Sequence, residues 1–359
     1  MGTQKLREML DALGALRRPE DSVPVHFGDP AAEYEAANEI VGLTDISSRG
    51  RLEITGKDRV RLVNNLCTND IPKTEPGSGR EAFFLDAKGR IIDYAVVFVL
   101  ADSLWLDLAP GRAGSLIKHL DRYIIREDVQ LHDRSLNTAS FHLIGPKAEE
   151  VLQRVNIALG TNLQHAAAVI GGATCHAFRR DRSVQPGYDI VVDLEDAPTV
   201  WSILWDAGQI AGIRPVGSQV MEVLRVEAGI PEMGKEVTDA NFPQEFGRDP
   251  QAISFTKGCY IGQETVARID AYGHVNRQLR GLIWHGPADP LVGHKVYFGD
   301  KEMGSVASAV ASPKTGNSLG LAVLRTGGNE PGAEVVVKAA ADEVRATVAS
   351  LPFSSPSLA

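Results

Sequence analysis

The sequence predicts an α+β protein in which two repeated units of antiparallel sheet and helix precede a small C-terminal β-barrel. The first observation is an internal repeat of strand–turn–helix segments between Arg51 and Trp205. The second is a change at Gln278, after which helical periodicity stops and short apolar strands alternate with glycine-containing turns. The third is size: 359 residues, 43% apolar and 23% charged, suit a globular protein of two or three domains.

The N-terminal segment predicts two helices. Leucines recur at helical spacing from Leu6 to Leu16, which indicates an amphipathic helix. A stretch rich in proline and glycine follows. A second short helix is expected over residues 31–41, and Gly42 is a candidate for its C-terminal cap.

Two pairs of matching segments make up the repeat. In one pair, strands that turn at Gly56 and Gly145 lead into helices; in the other, strands containing Asp107 and Asp193 do the same. The predicted helices cover residues 59–66, 113–123, 148–155 and a segment from Pro198 through Trp205. Similar separations within the two pairs favour two copies of one unit over a chance similarity of ordinary strand–turn–helix pieces.

The C-terminal segment predicts six strands, which are residues 279–284, 295–298, 304–311, 319–324, 334–338 and 344–350. The resulting organisation has three domains, which cover residues 1–135, 136–276 and 277–359.

The most informative motif is Lys257-Gly258-Cys259-Tyr260-Ile261-Gly262-Gln263-Glu264. If a helix begins at Gln263, Cys259 lies just before its N-terminus. The partial positive charge there, together with Lys257, would favour the thiolate over the thiol. The alternative is a glycine turn before a helix, with a cysteine that acts only as a small hydrophobic residue.

Two carboxylates are further candidates. Asp93 interrupts an otherwise apolar strand, and a buried carboxylate must be paired, protonated or functional. Glu227 lies near the end of a predicted helix, beside Arg225, and could accept paired N–H donors from a planar heterocycle. A solvated charge on a helix is the alternative for Glu227.

Composition argues against several classes of function. The formal net charge of −9 and the lack of a Lys/Arg-rich run disfavour direct nucleic-acid binding. Cys67, Cys175 and Cys259 are widely spaced and odd in number, which disfavours a disulfide framework or a thiolate-rich zinc site and indicates a reducing compartment. Without a secretory signal or a long apolar run, we expect a cytoplasmic protein that does not enter a membrane.

Residues 257–264 resemble the signature of the YgfZ branch of the folate-binding glycine-cleavage T-protein superfamily, and the resemblance covers nearly the whole chain. Residues 224–231 are similar to the family's Arg-x-Glu-Ala-Gly run. Residues 89–93 resemble its Gly-x-Ile-x-Asp strand, and residues 304–308, followed by Ser312-Pro313, resemble its barrel motif.

This resemblance implies a T-protein-like fold of three domains around a central opening that holds tetrahydrofolate. Glu227 matches the glutamate that holds the pterin ring, and Asp93 matches the aspartate near the folate nitrogens where the one-carbon unit is transferred. The expected folate-binding residues are Glu227, Asp93, Arg225, Tyr188, Tyr260 and Gln263, and the expected catalytic residues are Asp93, Cys259 and Lys257.

The chain also departs from the T-protein itself. The Tyr-Thr-Gly-Glu segment of that protein is absent, and residues 183–189 read Ser-Val-Gln-Pro-Gly-Tyr-Asp. Cys259 falls where the aminomethyltransferases lack a cysteine, so glycine cleavage is not expected.

The YgfZ branch is implicated in forming or repairing iron–sulfur enzymes. We therefore expect a monomeric, tetrahydrofolate-binding protein with iron–sulfur client or assembly proteins as partners. We expect no metal site, since one cysteine cannot hold a cluster. The alternatives are a folate-dependent one-carbon transferase or demethylase acting on a small substrate, and a non-catalytic module that senses folate or docks on partners.

Overall fold

The computed structural model describes residues 2–19, 21–286, 291–338 and 343–353. The chain divides into two compact units. The first consists of Met1–Leu62, Ile71–Arg80 and Val96–Met221, and the second of Val63–Asp70, Glu81–Ala95 and Glu222–Ala359.

The described α-helices are α1 (Gly2–Ala12), α2 (Pro30–Glu39), α3 (Arg59–Leu66), α4 (Ala113–Asp121), α5 (Ala148–Arg154), α6 (Ala197–Gly208), α7 (Ser218–Glu227), α8 (Asp249–Ala252) and α9 (Gln263–Tyr272).

The described strands are β1 (Gly42–Asp45), β2 (Gly50–Thr55), β3 (Ser78–Leu85), β4 (Ile91–Val99), β5 (Leu104–Leu108), β6 (Gln130–Asp133), β7 (Thr138–Ile144), β8 (His165–Ile170), β9 (Ala173–Arg179), β10 (Gly187–Asp193), β11 (Arg214–Pro215), β12 (Arg277–Trp284), β13 (Lys295–Phe298), β14 (Lys301–Ala311), β15 (Ser318–Arg325), β16 (Glu334–Lys338) and β17 (Glu343–Ala349).

These strands form two open sheets and one closed barrel. The first sheet has the order β11-β1-β7-β10-β9-β8, and the second has the order β3-β4-β5-β2-β6. In the first sheet, β1 pairs antiparallel with β7 on one side and parallel with β11 on the other. The barrel has the order β12-β15-β14-β13-β16-β17 and closes through the pairing of β12 with β17.

Strand β10 in the first unit is buried along nearly its whole length because both of its faces are covered. Ile190 and Val192 belong to the main apolar core of this unit, which also contains Trp201 of α6. Val191 points the other way and joins a smaller cluster with Phe98 and Trp105 from the second sheet. A strand covered on both sides needs apolar residues at consecutive positions, which is what the sequence has here.

The barrel interior follows the period of two that strands impose on their side chains. Leu282 and Trp284 of β12 face inward, as do Val335 and Val337 of β16 and Val348 of β17. Because the barrel is closed, its strands leave no unpaired edge.

The predicted fold class is confirmed. The six barrel strands lie where the sequence predicts them, within a few residues at their ends, and so do the four helices of the internal repeat. The division into three domains at residues 135 and 276 stays a prediction.

Two details of the N-terminal prediction are wrong. Helix α1 ends at Ala12 instead of reaching Leu16, because Gly14 adopts a left-handed conformation and Leu16 pairs with His26 in an isolated bridge. Gly42 does not cap α2; it opens β1, and a Cβ at this position would lie 2.5 Å from the Val216 side chain.

Within the described residues, no helix combines the length and the apolar character needed to cross a membrane.

Two histidines of the first unit, His165 and His176, pack against aromatic side chains. The His165 ring meets the edge of Phe98, and the His176 ring packs on Trp105 at 4.9 Å. Burial lowers the pKa of both imidazoles below the ordinary value of 6.5. Both rings therefore stay neutral in the folded protein at pH values where the unfolded chain takes up protons.

We expect the free energy of unfolding to fall as the pH drops from about 7 to about 5. Because burial lowers the pKa of the two imidazoles in the folded state, the unfolded state binds more protons in this pH range. Acid therefore favours the unfolded state. Denaturant titrations at several pH values measure the effect. The double variant His165→Phe/His176→Phe should show a shallower slope, and an unchanged slope in that variant would contradict the assignment.

Candidate functional site

The signature segment of the second unit forms a loop that enters α9, as the sequence predicts. Helix α9 begins at Gln263, four residues after Cys259. The Cys259 thiol is exposed, whereas Lys257 and Tyr260 on either side of it are buried. The loop therefore presents one thiol to solvent between two anchored side chains.

Lys257 anchors this loop to backbone oxygens. Its ammonium group donates to the carbonyls of Asn64, Cys67 and Asn69 at 2.6, 2.9 and 2.6 Å, and these three bonds use all of its N–H groups. It also lies 4.9 Å from the centre of the Tyr260 ring. The sequence suggested that Lys257 favours a Cys259 thiolate. In the structure all three N–H groups of the Lys257 ammonium are bonded to backbone carbonyls instead.

Burial also sets the ionisation of the groups around Lys257. Desolvation lowers the pKa of the Lys257 ammonium, while nearby Cys67 and Asp70 act in the opposite direction. Burial raises the pKa of the Cys67 thiol, and the Lys257 charge only partly offsets this. Burial likewise raises the pKa of the Tyr260 hydroxyl. Cys67 is thus a buried thiol, distinct in character from the exposed Cys259.

Two glycines let the signature pack directly on the turn that precedes β4. Gly262 has φ +82°, and a Cβ there would lie 2.7 Å from the Asp86 carbonyl oxygen and 2.9 Å from the Cα of Gly89. Gly89 has φ +79°, and its Cβ would lie 2.7 Å from the Cβ of Thr265. Both positions therefore require glycine, for conformation and for space.

The same turn leads into β4 and places Asp93 in the interior of the second unit. The Asp86 carboxylate accepts the N–H groups of Lys88 and Arg90 at 2.8 Å each, which fixes the turn. Asp93 follows on β4 and is 0% exposed, and its carboxylate accepts the N–H of Tyr94 at 2.9 Å. The predicted burial of Asp93 in an apolar strand is confirmed.

Glu227 is the last residue of α7 and is 8% exposed. Its Oε1 accepts a hydrogen bond from the hydroxyl of Ser312 at 2.5 Å, and its backbone carbonyl accepts the N–H of Phe353. The alternative of a freely solvated charge on a helix is therefore wrong for Glu227. The carboxylate is a buried acceptor held by a hydroxyl donor.

The Arg225 side chain connects several segments of the second unit through hydrogen bonds. Its guanidinium donates to the carboxylates of Glu222 and Glu236, to the Ile230 carbonyl and to the Ser308 hydroxyl, at distances from 2.6 to 3.3 Å. These contacts engage its five N–H groups. Arg225 thus ties α7 to β14 with all of its N–H donors engaged, and its expected contact with folate stays a prediction.

Tyr188 lies in the first unit, on β10, with its ring in the main apolar core and its hydroxyl accepting a hydrogen bond from Arg179. Gln263 is the first residue of α9 and is half-buried. Their expected contacts with folate stay predictions.

The sequence analysis missed a cluster next to Asp93. The Tyr94 hydroxyl donates to Glu81 at 2.5 Å, and Arg248 binds both oxygens of the Glu81 carboxylate at 2.6 and 2.7 Å. Only Glu81, a charged residue at the start of the buried half of β3, could have indicated this cluster, since Glu81 and Arg248 lie far apart in the chain.

A second missed cluster lies in the first unit, where arginines surround Asp107 and Asp189. The rule that singled out Asp93 applies equally to these two aspartates, since each interrupts an apolar strand.

Across the described residues, no group of three or more His, Cys, Asp or Glu side chains is placed to hold a metal ion.

Taken together, the two sheets, the closed six-stranded barrel and the buried carboxylates define a protein of the T-protein fold class. The chain belongs to the family described by two domain models: the GCVT N-terminal domain, which matches residues 17–255, and the glycine cleavage T-protein C-terminal barrel domain, which matches residues 277–354.

Relatives in several organisms extend along most of the chain. An aminomethyltransferase of Herpetosiphon aurantiacus is 31% identical over 92% of this chain and 91% of its own length. An aminomethyltransferase of Bacillus subtilis is 28% identical over 92% of each. A putative chloroplastic transferase of Arabidopsis thaliana is 26% identical over 93% of this chain and 76% of its own.

A solved structure agrees with the fold. The crystal structure of glycine cleavage system aminomethyltransferase T from Bartonella henselae superimposes with a TM-score of 0.88, covering 98% of this chain and 97% of that one at 18% identity. At this identity the likeness establishes the fold.

We expect Gly262→Ala to destabilise the protein by about 1–3 kcal/mol, because a Cβ would collide with the 86–89 turn and the backbone is left-handed. Denaturant unfolding measures the loss. The matched control is Gly258→Ala in the same loop, where a Cβ would meet no described atom within 4 Å; its change should stay within about 0.5 kcal/mol. Equal effects of the two substitutions would contradict the packing argument.

Proposed function

We propose that this protein is a tetrahydrofolate-binding member of the YgfZ branch that supports the assembly or repair of iron–sulfur enzymes through a folate-dependent step. The observation that carries the proposal is the packing of Gly262 on the 86–89 turn. This contact joins the loop that holds the exposed Cys259 to the turn that leads to the buried Asp93. A thiol and a carboxylate supported in this way suit a one-carbon unit that must be accepted and released.

The residues of the second unit fit a reduced folate in part. Asp93 and Glu227 are buried carboxylates, and such groups accept hydrogen bonds from the N–H groups of a pterin ring. Arg225 and Lys257 do not fit, because their N–H donors are already engaged. Bound tetrahydrofolate would supply the nitrogens that carry a one-carbon unit.

In this proposal each residue has a separate task. Glu227 orients the pterin, with Ser312 holding its carboxylate in place. Asp93 takes or returns a proton at a folate nitrogen. Cys259, exposed at the end of the signature loop, acts on a partner or a one-carbon unit, and Lys257 positions that loop without touching the reacting atoms.

A second candidate is a folate-dependent one-carbon transferase or demethylase acting on a small substrate. It is supported by the similarity, over nine-tenths of the chain, to proteins named aminomethyltransferases. The two candidates differ in what they require of Cys259 and Asp93. A transferase needs Asp93 for turnover, whereas a role in iron–sulfur maintenance that depends on a thiol needs Cys259.

Calorimetric titration with tetrahydrofolate tests the shared part of both candidates. We expect micromolar binding, about −8 kcal/mol. Glu227→Gln should weaken binding about tenfold or more, because a charge-assisted acceptor is lost. Glu302→Gln on the barrel, where Glu302 pairs with Lys295, is the control and should bind like the wild type. No binding by the wild type would remove the folate proposal.

Complementation in cells that lack the protein separates the two candidates. If the iron–sulfur role is correct, Cys259→Ser should fail to restore the activity of an iron–sulfur enzyme, while the neighbouring exposed Thr256→Ala should restore it. Full restoration by Cys259→Ser would remove the thiol from the mechanism. Loss of folate turnover in Asp93→Asn, with binding kept, would then favour the transferase.

A further inference from the structure

A cavity of about 270 Å³ lies in the second unit, between the outer face of the barrel and residues 235–241, which follow α7. Its floor is apolar and consists of Gly304 and Ala307 of β14 and Val323 of β15. Both sequence neighbours of Val323 belong to the barrel core, so strand alternation places Val323 outside the barrel. The volume is close to the lower limit of ordinary ligand sites, about 300 Å³, and therefore suits a small molecule.

Four cationic side chains line this cavity, which are those of Lys235, Arg277, Lys295 and Arg325. The first three each bind at least one carboxylate, at distances from 2.7 to 3.1 Å. The Arg325 guanidinium makes no hydrogen bond or ion pair among the described residues and interacts only with Glu302, at longer range. Its five N–H donors therefore face the cavity and solvent without a bonded acceptor from the described chain.

The barrel register places two of these cations next to each other. Arg277 on β12 lies directly opposite Arg325 on β15. Residues directly opposed in an antiparallel pair share one face, with their Cβ atoms about 5 Å apart, and like charges at such positions repel. Glu245 binds Nε and Nη2 of Arg277, whereas Nη1 makes no hydrogen bond within the described part of the chain. An acidic group between the two guanidinium groups would bind both and remove this repulsion.

A second group of donors lies across the floor from the arginines. Lys295 on β13 is opposite Ser305 on β14, and both line the cavity. The Lys295 ammonium donates one of its three N–H groups to Glu302 at 2.9 Å. The Ser305 hydroxyl makes no hydrogen bond to any residue that the structure describes. Strands β13 and β15 flank β14, so this second group and Arg325 lie on strands two spacings, about 10 Å, apart.

The carboxylates of the cavity wall are largely engaged. Glu236 is 2% exposed, and its two oxygens accept hydrogen bonds from Arg225, from the Ser308 hydroxyl and from the backbone N–H of Glu232. Glu302 is exposed at the rim and pairs with Lys295. The groups left open are therefore mainly donors, at two ends of an apolar floor. Such a wall favours a ligand that has negative charge at both of its ends.

We propose that this cavity binds a small organic dicarboxylate. One carboxylate lies between Arg277 and Arg325, where planar guanidinium groups can bind its oxygens in pairs. The other accepts hydrogen bonds from Lys295 and Ser305. The methylene chain between them covers the apolar floor, which an inorganic anion would leave exposed. None of the residues that carry the folate proposal lines this cavity, so the site does not depend on that proposal.

Calorimetric titration of the full-length protein tests the site with glutarate as the probe. We expect a dissociation constant in the millimolar range or below. Acetate should bind at least about tenfold more weakly, because it can reach only one of the two groups of donors. The titrations are compared at equal ionic strength, since salt screens exposed charges. No binding of glutarate, or equal binding of acetate, would overturn the proposal.

Two variants locate the binding. Arg325→Gln should weaken it about tenfold or more, because a charge-assisted donor is lost. Without glutarate this variant should unfold at or above the wild-type temperature, since the like charge opposite Arg277 is removed. Ala307→Leu fills the floor without changing any charge and should abolish binding. If Ala307→Leu does not fold, Arg325→Gln decides the question.

The matched control is Arg345→Gln. Arg345 is an exposed arginine of the same barrel, on β17, and does not line the cavity. This variant should bind glutarate like the wild type. Undiminished binding by Arg325→Gln, or an equal loss of binding in Arg345→Gln, would overturn the assignment of the dicarboxylate to this cavity.

Discussion

The signature loop depends on the bonds from the Lys257 ammonium to three backbone carbonyls of residues 64–69. They fix one end of the loop, and the contact of Gly262 with the 86–89 turn fixes the other. Between these two anchors Cys259 is exposed, whereas Lys257 and Tyr260 are buried. A chemically varied motif thus consists largely of residues that hold one thiol in place.

Buried cations are neutralised in this protein in three ways. Lys257 donates to three backbone carbonyls and has the Asp70 carboxylate nearby. Arg225 is matched by the carboxylates of Glu222 and Glu236. Arg49, Arg51, Arg180 and Arg182 share contacts with the carboxylates of Asp107 and Asp189. The first two arrangements use every N–H donor of the cation, whereas in the third the Nε and Nη2 atoms of Arg51 have no hydrogen-bond partner among the described residues.

Local patterns in the sequence were sufficient for the fold, because strand alternation and glycine turns determine the barrel and the repeated units over short stretches of chain. They were also sufficient to single out Asp93, because it is a charged residue in an otherwise apolar strand. They were not sufficient for the partners of buried charges. Arg51 meets Asp107, and His142 meets Asp189, only through the register of paired strands. The partners of Lys257 are backbone carbonyls, which no side-chain pattern reveals.

The position of β1 in its sheet has a consequence for synthesis on the ribosome. Its partner β11 begins 214 − 45 = 169 residues after β1 ends, and β7 also follows much later. At about 5–20 residues per second, the chain grows for roughly 8 to 34 s before that parallel partner exists. During this interval β1 has free backbone N–H and C=O groups that a neighbouring nascent chain could pair with. Exchange of β1 between chains is therefore a misassembly that this topology permits.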